Sequence, residues 1–426
     1  AAFAGIRLVL PSGNAKVRAN DTDYVYRPDS AFAYYSGVQG SDANEDAVLV
    51  MEPKAEGGHD TYLYIHPRST RDTDAFYRDT HYGELWVGRR YTLSEAQARY
   101  QIETRKVTDL KDFLTGIPAL VLRGSDRVVD ATVATHPREE EFVIFISEQR
   151  LTKDEYEVRE MQAAVDATAL GFNDVISALP AAVETPRGER VLDAAFYGRA
   201  RILGNDLGYN TIVGAGSHAC VLHWIRNDGD VRRGELVLVD AGVEVESFYT
   251  ADITRTLPVD GKFSPAQRAL YMLVYESQLA GFAAIKPGVL FSEINRACQE
   301  VLAKGLADMG VLTVSAEESM KPEIGLHRRW TLHGVSHHLG LDVHDCAQAR
   351  KEQYLDAPLR EGMVLTVEPG LYIQPDDELF APEYRGIGIR IEDDVVVTAD
   401  GCRNISENIP RHPDEIEKWM KSVLGR

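Results

Sequence analysis

At 426 residues, with 44% apolar and 26% charged side chains and a formal charge of −20 at pH 7, the chain has the composition of a soluble globular protein, and its length points to two domains. The acidity excludes surfaces built for nucleic acid or anionic lipid, which need basic patches, and favours a small neutral or cationic ligand. No apolar run approaches the roughly 18 residues of a membrane helix, and Cys220, Cys298, Cys346 and Cys402 are scattered without a Cys-x-x-Cys pair.

That cysteine spacing offers no disulfide framework, and no charged-then-apolar leader stands at the N-terminus, although the opening Ala1-Ala2-Phe3 without a methionine leaves an upstream export signal open. Reduced, mostly buried thiols and a cytoplasmic location are therefore expected. Along the chain, strand-like runs at 6–10, 47–51, 62–65, 119–122 and 142–146 alternate with polar segments and predict a small mixed α/β domain over 1–150. At Thr152 the pattern changes. Thr152-x-x-Glu155 reads as a capping box, and Val158, Met161, Val165, Ala169, Phe172, Ile176 and Leu179 follow at helical spacing, opening a second domain over 151–426.

Two more helices are signalled where a capping residue precedes proline, at Thr185-Pro186 and Ser264-Pro265, and another spans 292–306. Strand runs at 236–240, 248–257, 364–368 and 387–398 complete the second domain. The fold class is α/β of the α+β kind, with helices packed on a mainly antiparallel sheet.

Within those strands lie charges that belong in water. Asp240, Asp252, His337, Glu368 and Glu392 each sit in a short apolar, glycine-bordered stretch. A buried carboxylate needs a partner, so several converging on one interior argue for bound cations and a metal-dependent hydrolase. Four carboxylates and a neutral imidazole carry −4, which two divalent cations would cancel. Oxygen-rich donors with one histidine suit Mn²⁺, Co²⁺ or Zn²⁺.

An internal echo supports the grouping. Gly234 to Gly242 aligns with Gly362 to Gly370, placing Asp240 opposite Glu368, and Asp252 and Glu392 each precede an Asp-Gly turn by the same interval. Two related half-domains, each giving two carboxylates, are expected. The segment from His333 to Asp345 adds four histidines beside glycines. His333 and His337 have zincin spacing, but Gly334 stands where a zincin needs its glutamate. A second decoy, Gly214-Ala215-Gly216-Ser217-His218-Ala219, matches a dinucleotide fingerprint, yet too few residues follow it for a βαβ crossover.

Taken in order, Leu238-Val239-Asp240-Ala241-Gly242, Ala251-Asp252-Ile253-Thr254-Arg255-Thr256, the His333 to Asp345 segment, Thr366-Val367-Glu368-Pro369-Gly370 and Gly388-Ile389-Arg390-Ile391-Glu392-Asp393 resemble the motifs of the pita-bread metallopeptidases. Within them the similarity is to the aminopeptidase P, or Xaa-Pro aminopeptidase, group. Tyr24 to Gly37 resembles that group's N-terminal signature, so the likeness spans nearly the whole chain.

The resemblance implies a pita-bread catalytic domain with pseudo-twofold half-domains behind an aminopeptidase P-like N-terminal domain. It implies a dinuclear site, usually manganese, with Asp240, Asp252, His337, Glu368 and Glu392 as ligands and Asp252 and Glu392 bridging. Glu368 would shuttle a proton, His223 would touch substrate, and His333 and His344 would shape the proline pocket and help hold the scissile carbonyl. Arg390 would orient a ligand carboxylate. The implied activity removes the first residue from peptides with proline second, through a metal-bridging hydroxide, in a dimer or tetramer. The alternative within the fold is a prolidase, restricted to Xaa-Pro dipeptides. Creatinase, which shares the fold without these ligands, is disfavoured. Asp240 and Asp252 stand twelve positions apart, one more than the resemblance leads us to expect, which predicts an extra turn residue or bulge near Glu246-Ser247.

Overall fold

Short aliphatic runs build the first sheet. The computed structural model describes residues 2–425, and the chain divides into two units, Ala1–Ser147 and Glu148–Arg426. In the first, strands β1 (Arg7–Pro11), β2 (Val48–Pro53), β3 (His59–Ile65), β4 (Glu103–Lys106) and β5 (Ala119–Val121) form one sheet in the order β4-β3-β2-β1-β5. The inner pairs are antiparallel and both outer pairs parallel. Alternation sends Leu8, Leu10 and Leu49 to one face beside Phe32, and Val9, Val48 and Val50 to the other beside Leu114.

Residues 142–146, expected as a strand, are helical: α1 spans Glu139–Gln149. Phe142 and Ile146 stand one helical turn apart and both enter the cluster around Leu8 and Leu63, while three glutamates occupy the first turn, where the helix end is positive. Burial on a helical period overrides the strand preference of Phe, Val and Ile.

In the second unit, α2 (Glu155–Glu184) begins with a capping box made by Asp154 and Glu157, two residues beyond the one expected at Thr152. The shift has a tertiary cause, because the Lys153 amide donates to Gly362 O at 2.8 Å and keeps the chain extended there. Helix α3 (Gly188–Leu203) likewise starts after Pro186, behind Arg187 in the left-handed region at φ 59°. Ser264 and Gln267 form the capping box of α4 (Pro265–Ala284), with proline in its first turn, and α5 spans Ser292–Asp308. Each helix pair meets at a glycine: a Cβ on Gly171 would lie 2.5 Å from the Phe196 ring, and one on Gly281 2.6 Å from Cys298 Sγ.

Strands β6 (Ile212–Ala215), β7 (Leu236–Ala241) and β8 (Ile253–Pro258) form one antiparallel sheet, with β7 central. Strands β9 (Val364–Val367), β12 (Asp393–Val397) and β13 (Cys402–Asn404) form another, while β10 (Gly370–Tyr372) pairs with β11 (Gly388–Arg390). The expected repeat is present as architecture: a helix pair accompanies each three-stranded sheet, and Asp252 precedes β8 as Glu392 precedes β12.

Two expected strands are interrupted where the chemistry lies. The run at 387–398 breaks at Ile391-Glu392, where the Glu392 amide leaves its own ladder and donates to Thr254 O at 3.1 Å. The run at 248–257 becomes regular only at Ile253. Before it, Val245 and Tyr249 close a tight loop, with the Phe248 amide on Val245 O at 2.8 Å and Phe248 at φ 69°. The Gly214 fingerprint leads from β6 into a single 3-10 turn, Gly216–Cys220, and β7 returns antiparallel to β6, which excludes a dinucleotide-binding crossover.

Candidate metal centre

Backbone pairing brings the acids together. Asp240 faces Thr254 across β7 and β8, and Thr366 faces Asp394 across β9 and β12, so both sheets deliver their carboxylates at corresponding ends. The two sheets are stitched at that point: the Asp252 amide donates to Asp394 Oδ2 at 3.1 Å and Thr254 Oγ1 to Glu392 Oε2 at 2.6 Å. Fully buried Arg255 donates to Asp393 Oδ1 at 2.8 Å and Glu392 O at 2.7 Å, fixing the break in the second strand run.

The histidine segment lies alongside β9. The Thr366 amide donates to His337 O at 3.0 Å and the Glu368 amide to Val335 O at 2.8 Å, which places the His337 ring beside Glu368. His337 Nδ1 meets His338 O at 3.2 Å and therefore carries the proton, leaving Nε2 to face Asp252 Oδ2 at 3.3 Å and Glu368 Oε1 at 3.4 Å. Ligand atoms of Asp252, His337 and Glu392 all lie within 4.8 Å of one another.

These side chains line one cavity of about 560 Å³, together with Asp240, Glu368, Arg390, His223, His333 and His344. All nine residues singled out from the sequence thus line one cavity. His338 does not join them. It is buried, stacks on Phe291 at 5.4 Å and meets Tyr354 at 4.5 Å, so the four-histidine cluster contributes three rings to the cavity and one to the core.

Two hydroxyls with no sequence pattern to mark them complete the site. Tyr209 Oη stands 2.6 Å from Asp240 Oδ1 and 2.5 Å from Asp252 Oδ1. Tyr372 Oη accepts from Arg390 Nη1 at 3.0 Å and meets His333 Nε2 at 2.8 Å, while His333 Nδ1 meets Gly334 O at 2.8 Å. Because Gly334 O can only accept, His333 carries its proton on Nδ1 and receives the Tyr372 hydroxyl on Nε2. Both its nitrogens are thereby engaged.

The electrostatics are those of anions short of cations. Burial, and then neighbouring Asp252, Glu368 and Asp240, hold the Glu392 carboxyl well above the carboxylate range. Burial likewise pushes Glu368 up to about 7, with Asp252 adding to it against the pull of His337. For His337 burial opposes the charge, but Asp252 and Glu368 outweigh it and push the ring up to about 9. Carboxyls that burial raises, gathered beside one imidazole and one guanidinium, fit a donor set for cations.

A family described as metallopeptidase family M24 matches residues 159–399, and the aminopeptidase P N-terminal domain matches residues 4–129. This chain belongs to metallopeptidase family M24. Within that family it is 50% identical to Xaa-Pro aminopeptidase 1 of Streptomyces coelicolor, over all of this chain and 86% of the relative. It is 31% identical to the Xaa-Pro aminopeptidase of Escherichia coli, over 95% of this chain and 91% of that one. Among solved structures, Pseudomonas aeruginosa aminopeptidase PepP superposes with a TM-score of 0.85 at 29% identity, covering 100% of this chain and 96% of its own. Escherichia coli aminopeptidase P with the inhibitor Pro-Leu gives 0.84 at 31%, covering 99% and 95%. This M24 protein is a hydrolase of the aminopeptidase P group with the pita-bread fold, and its family implies divalent metal ions. Among its described residues no helix is long and apolar enough to cross a membrane.

Proposed function

We propose that the protein removes the N-terminal residue from peptides whose second residue is proline, using two divalent cations held by Asp240, Asp252, His337, Glu368 and Glu392, with Asp252 and Glu392 between them. The observation that carries this reading is the convergence of Asp252, His337 and Glu392 ligand atoms within 4.8 Å, in the cavity that Asp240 and Glu368 also line. When bound, such cations supply a hydroxide from water at neutral pH and neutralise charge developing on the scissile carbonyl.

The protein's own groups do the rest. Glu368, which lines the cavity beside His337, takes a proton from the attacking water and passes it to the prolyl nitrogen as the carbon–nitrogen bond breaks. A proline nitrogen has no hydrogen of its own to offer, so this delivery is needed for it to leave. Exposed His223 and His344 face the cavity and are suited to contact the peptide. His333, with both nitrogens engaged, is suited to shaping the proline pocket with its ring rather than to holding the carbonyl. Arg390 orients Asp240.

The oxygen-rich donor set with one imidazole favours manganese, with cobalt or zinc able to substitute. Domains over 1–150 and 151–426 would be an aminopeptidase P-like N-terminal domain and the catalytic domain. A homo-oligomer, dimer or tetramer, is supported by the exposed Leu85, Trp86 and Val87 in the first unit, and four free cysteines favour a reducing cytoplasm. Chelation should abolish cleavage of an Xaa-Pro peptide and Mn²⁺ restore it. Cleavage of Xaa-Pro-Xaa peptides as well as Gly-Pro supports the aminopeptidase. Activity confined to the dipeptide indicates a prolidase, and full activity after exhaustive demetallation removes the metal scheme.

A further inference from the structure

We infer that Glu189 is a positioning residue for the substrate-facing loop 216–229, through which it sets the cavity wall made by Leu222, His223 and Ile225; the inference rests on the peptidase reading above. Glu189 lies in the first turn of α3 and is fully buried. Each of its oxygens takes two hydrogen bonds. Oε1 accepts from the Ala215 amide and His218 Nδ1, both at 2.8 Å, and Oε2 from Trp224 Nε1 at 2.8 Å and the Gly229 amide at 2.6 Å.

One carboxylate therefore ties the start of the loop at Ala215, its end at Gly229 and its middle at Trp224. The Glu189 amide closes the circuit by donating to Gly229 O at 3.1 Å. The His218 and Trp224 rings, bound to opposite oxygens, stack at 3.9 Å, so the two side-chain donors also pack on each other. A side chain at Gly229 would force this knot apart, since a Cβ there would stand 2.5 Å from the His218 ring and 2.8 Å from Glu189 Oε1.

The consequence falls on the neighbours of Trp224. With its indole drawn inward to Glu189, His223 and Ile225 on either side line the metal-centre cavity. His223 is itself exposed, so its place in the wall is set through the backbone of Trp224 rather than by packing of its own ring. The site also demands a carboxylate. The Ala215, Trp224 and Gly229 groups are donors only, and a glutamine amide would turn an NH₂ toward one oxygen's pair of partners whichever way it lay.

The test compares the full-length, metal-loaded wild type with E189Q and W224F on an Xaa-Pro tripeptide, with metal content measured alongside. E189Q should raise KM about tenfold, the effect of roughly one buried hydrogen bond lost, with kcat within about threefold and metal content unchanged. W224F, which keeps the ring stack and removes one donor, should raise KM about threefold. Acrylamide quenching of Trp224, taken by difference from W224F, should increase in E189Q, and this readout needs no turnover. Failure of the wild type to cleave the peptide would count against the peptidase reading alone. Unchanged Trp224 quenching in E189Q, unchanged KM in an active enzyme, or a fall in kcat that tracks lost metal would each overturn the role given to Glu189.

Discussion

Arg390 donates from Nη2 to Asp240 Oδ2 at 2.6 Å, joining two nearly buried side chains that are 150 residues apart in sequence. The same guanidinium reaches Tyr372 Oη at 3.0 Å and Thr254 Oγ1 at 3.2 Å, so a single planar fork holds an acid of the candidate metal centre, a tyrosine and a strand. Lysine offers one compact ammonium in place of that fork. Arg390→Lys should therefore weaken metal binding or kcat/KM by about 10–100-fold. Calorimetric titration of metal and steady-state kinetics would show it; wild-type values in both would mean that Asp240 needs no such support.

Tyr209 presents one hydroxyl hydrogen to two carboxylates, Asp240 at 2.6 Å and Asp252 at 2.5 Å. Its one hydrogen serves one carboxylate, and the contact with the other is completed by a proton on that carboxyl. Tyr209→Phe should lower metal affinity by about tenfold while leaving the fold intact. Asp252→Asn, which removes a charge between the proposed cations, should cost several orders of magnitude in kcat. Equal, modest losses in the two variants would argue against a bridging Asp252.

Metal binding should release protons. Burial raises Glu368 to about 7 against the pull of His337, Asp252 and Glu368 raise His337 to about 9 against its burial, and burial raises Glu392 as well. Ligands must give up these protons to bind a cation, so the dissociation constant should fall as pH rises through the interval between those two values. Calorimetry in buffers of different ionisation enthalpy would count the protons. An affinity independent of pH across that interval would contradict the ligand set.

Asp345, next to His344, is fully buried with Lys153, whose ammonium lies 2.7 Å from Oδ2, and with Arg150 on Oδ1. Burial alone would raise this carboxyl, but Lys153 and Arg150 outweigh it and hold it well below the usual carboxylate range. A depressed carboxyl contributes stability that is fully present above its unfolded value of about 4 and is lost as pH falls toward the folded one. Asp345→Asn, which leaves Lys153 buried without its anion, should destabilise the protein by about 3–5 kcal/mol at pH 7. The gap from wild type should narrow below about pH 4, as urea unfolding at several pH values would reveal. A gap constant down to pH 2 would contradict the assignment.

The acids of the site were legible because their setting was wrong for them. A carboxylate at the end of an apolar strand has no local reason to be there, and strand alternation and the Gly234 and Gly362 echo grouped four of them before any contact was known. Helices α4 and α5 were legible for a similar reason, since capping and periodicity are local chemistry. Where distant partners decide, the local signal failed. Lys153 pairing with Gly362 moved the start of α2, and Phe142 and Ile146 became helical because a core lay on that side.

What was written into the sequence is which side chains carry charge into apolar strands, Asp240, Asp252, His337, Glu368 and Glu392, and hence the proposal that cations sit among them. Only the tertiary structure decided what surrounds them. Tyr209, Tyr372 and Glu189 act through hydrogen bonds that span tens of residues and leave no periodic trace, and His338 turns into the core because Phe291 and Tyr354 receive its ring. Periodicity reports the solvent on each side of an element, whereas the direction of a hydrogen bond depends on which distant atom the fold brings to meet it.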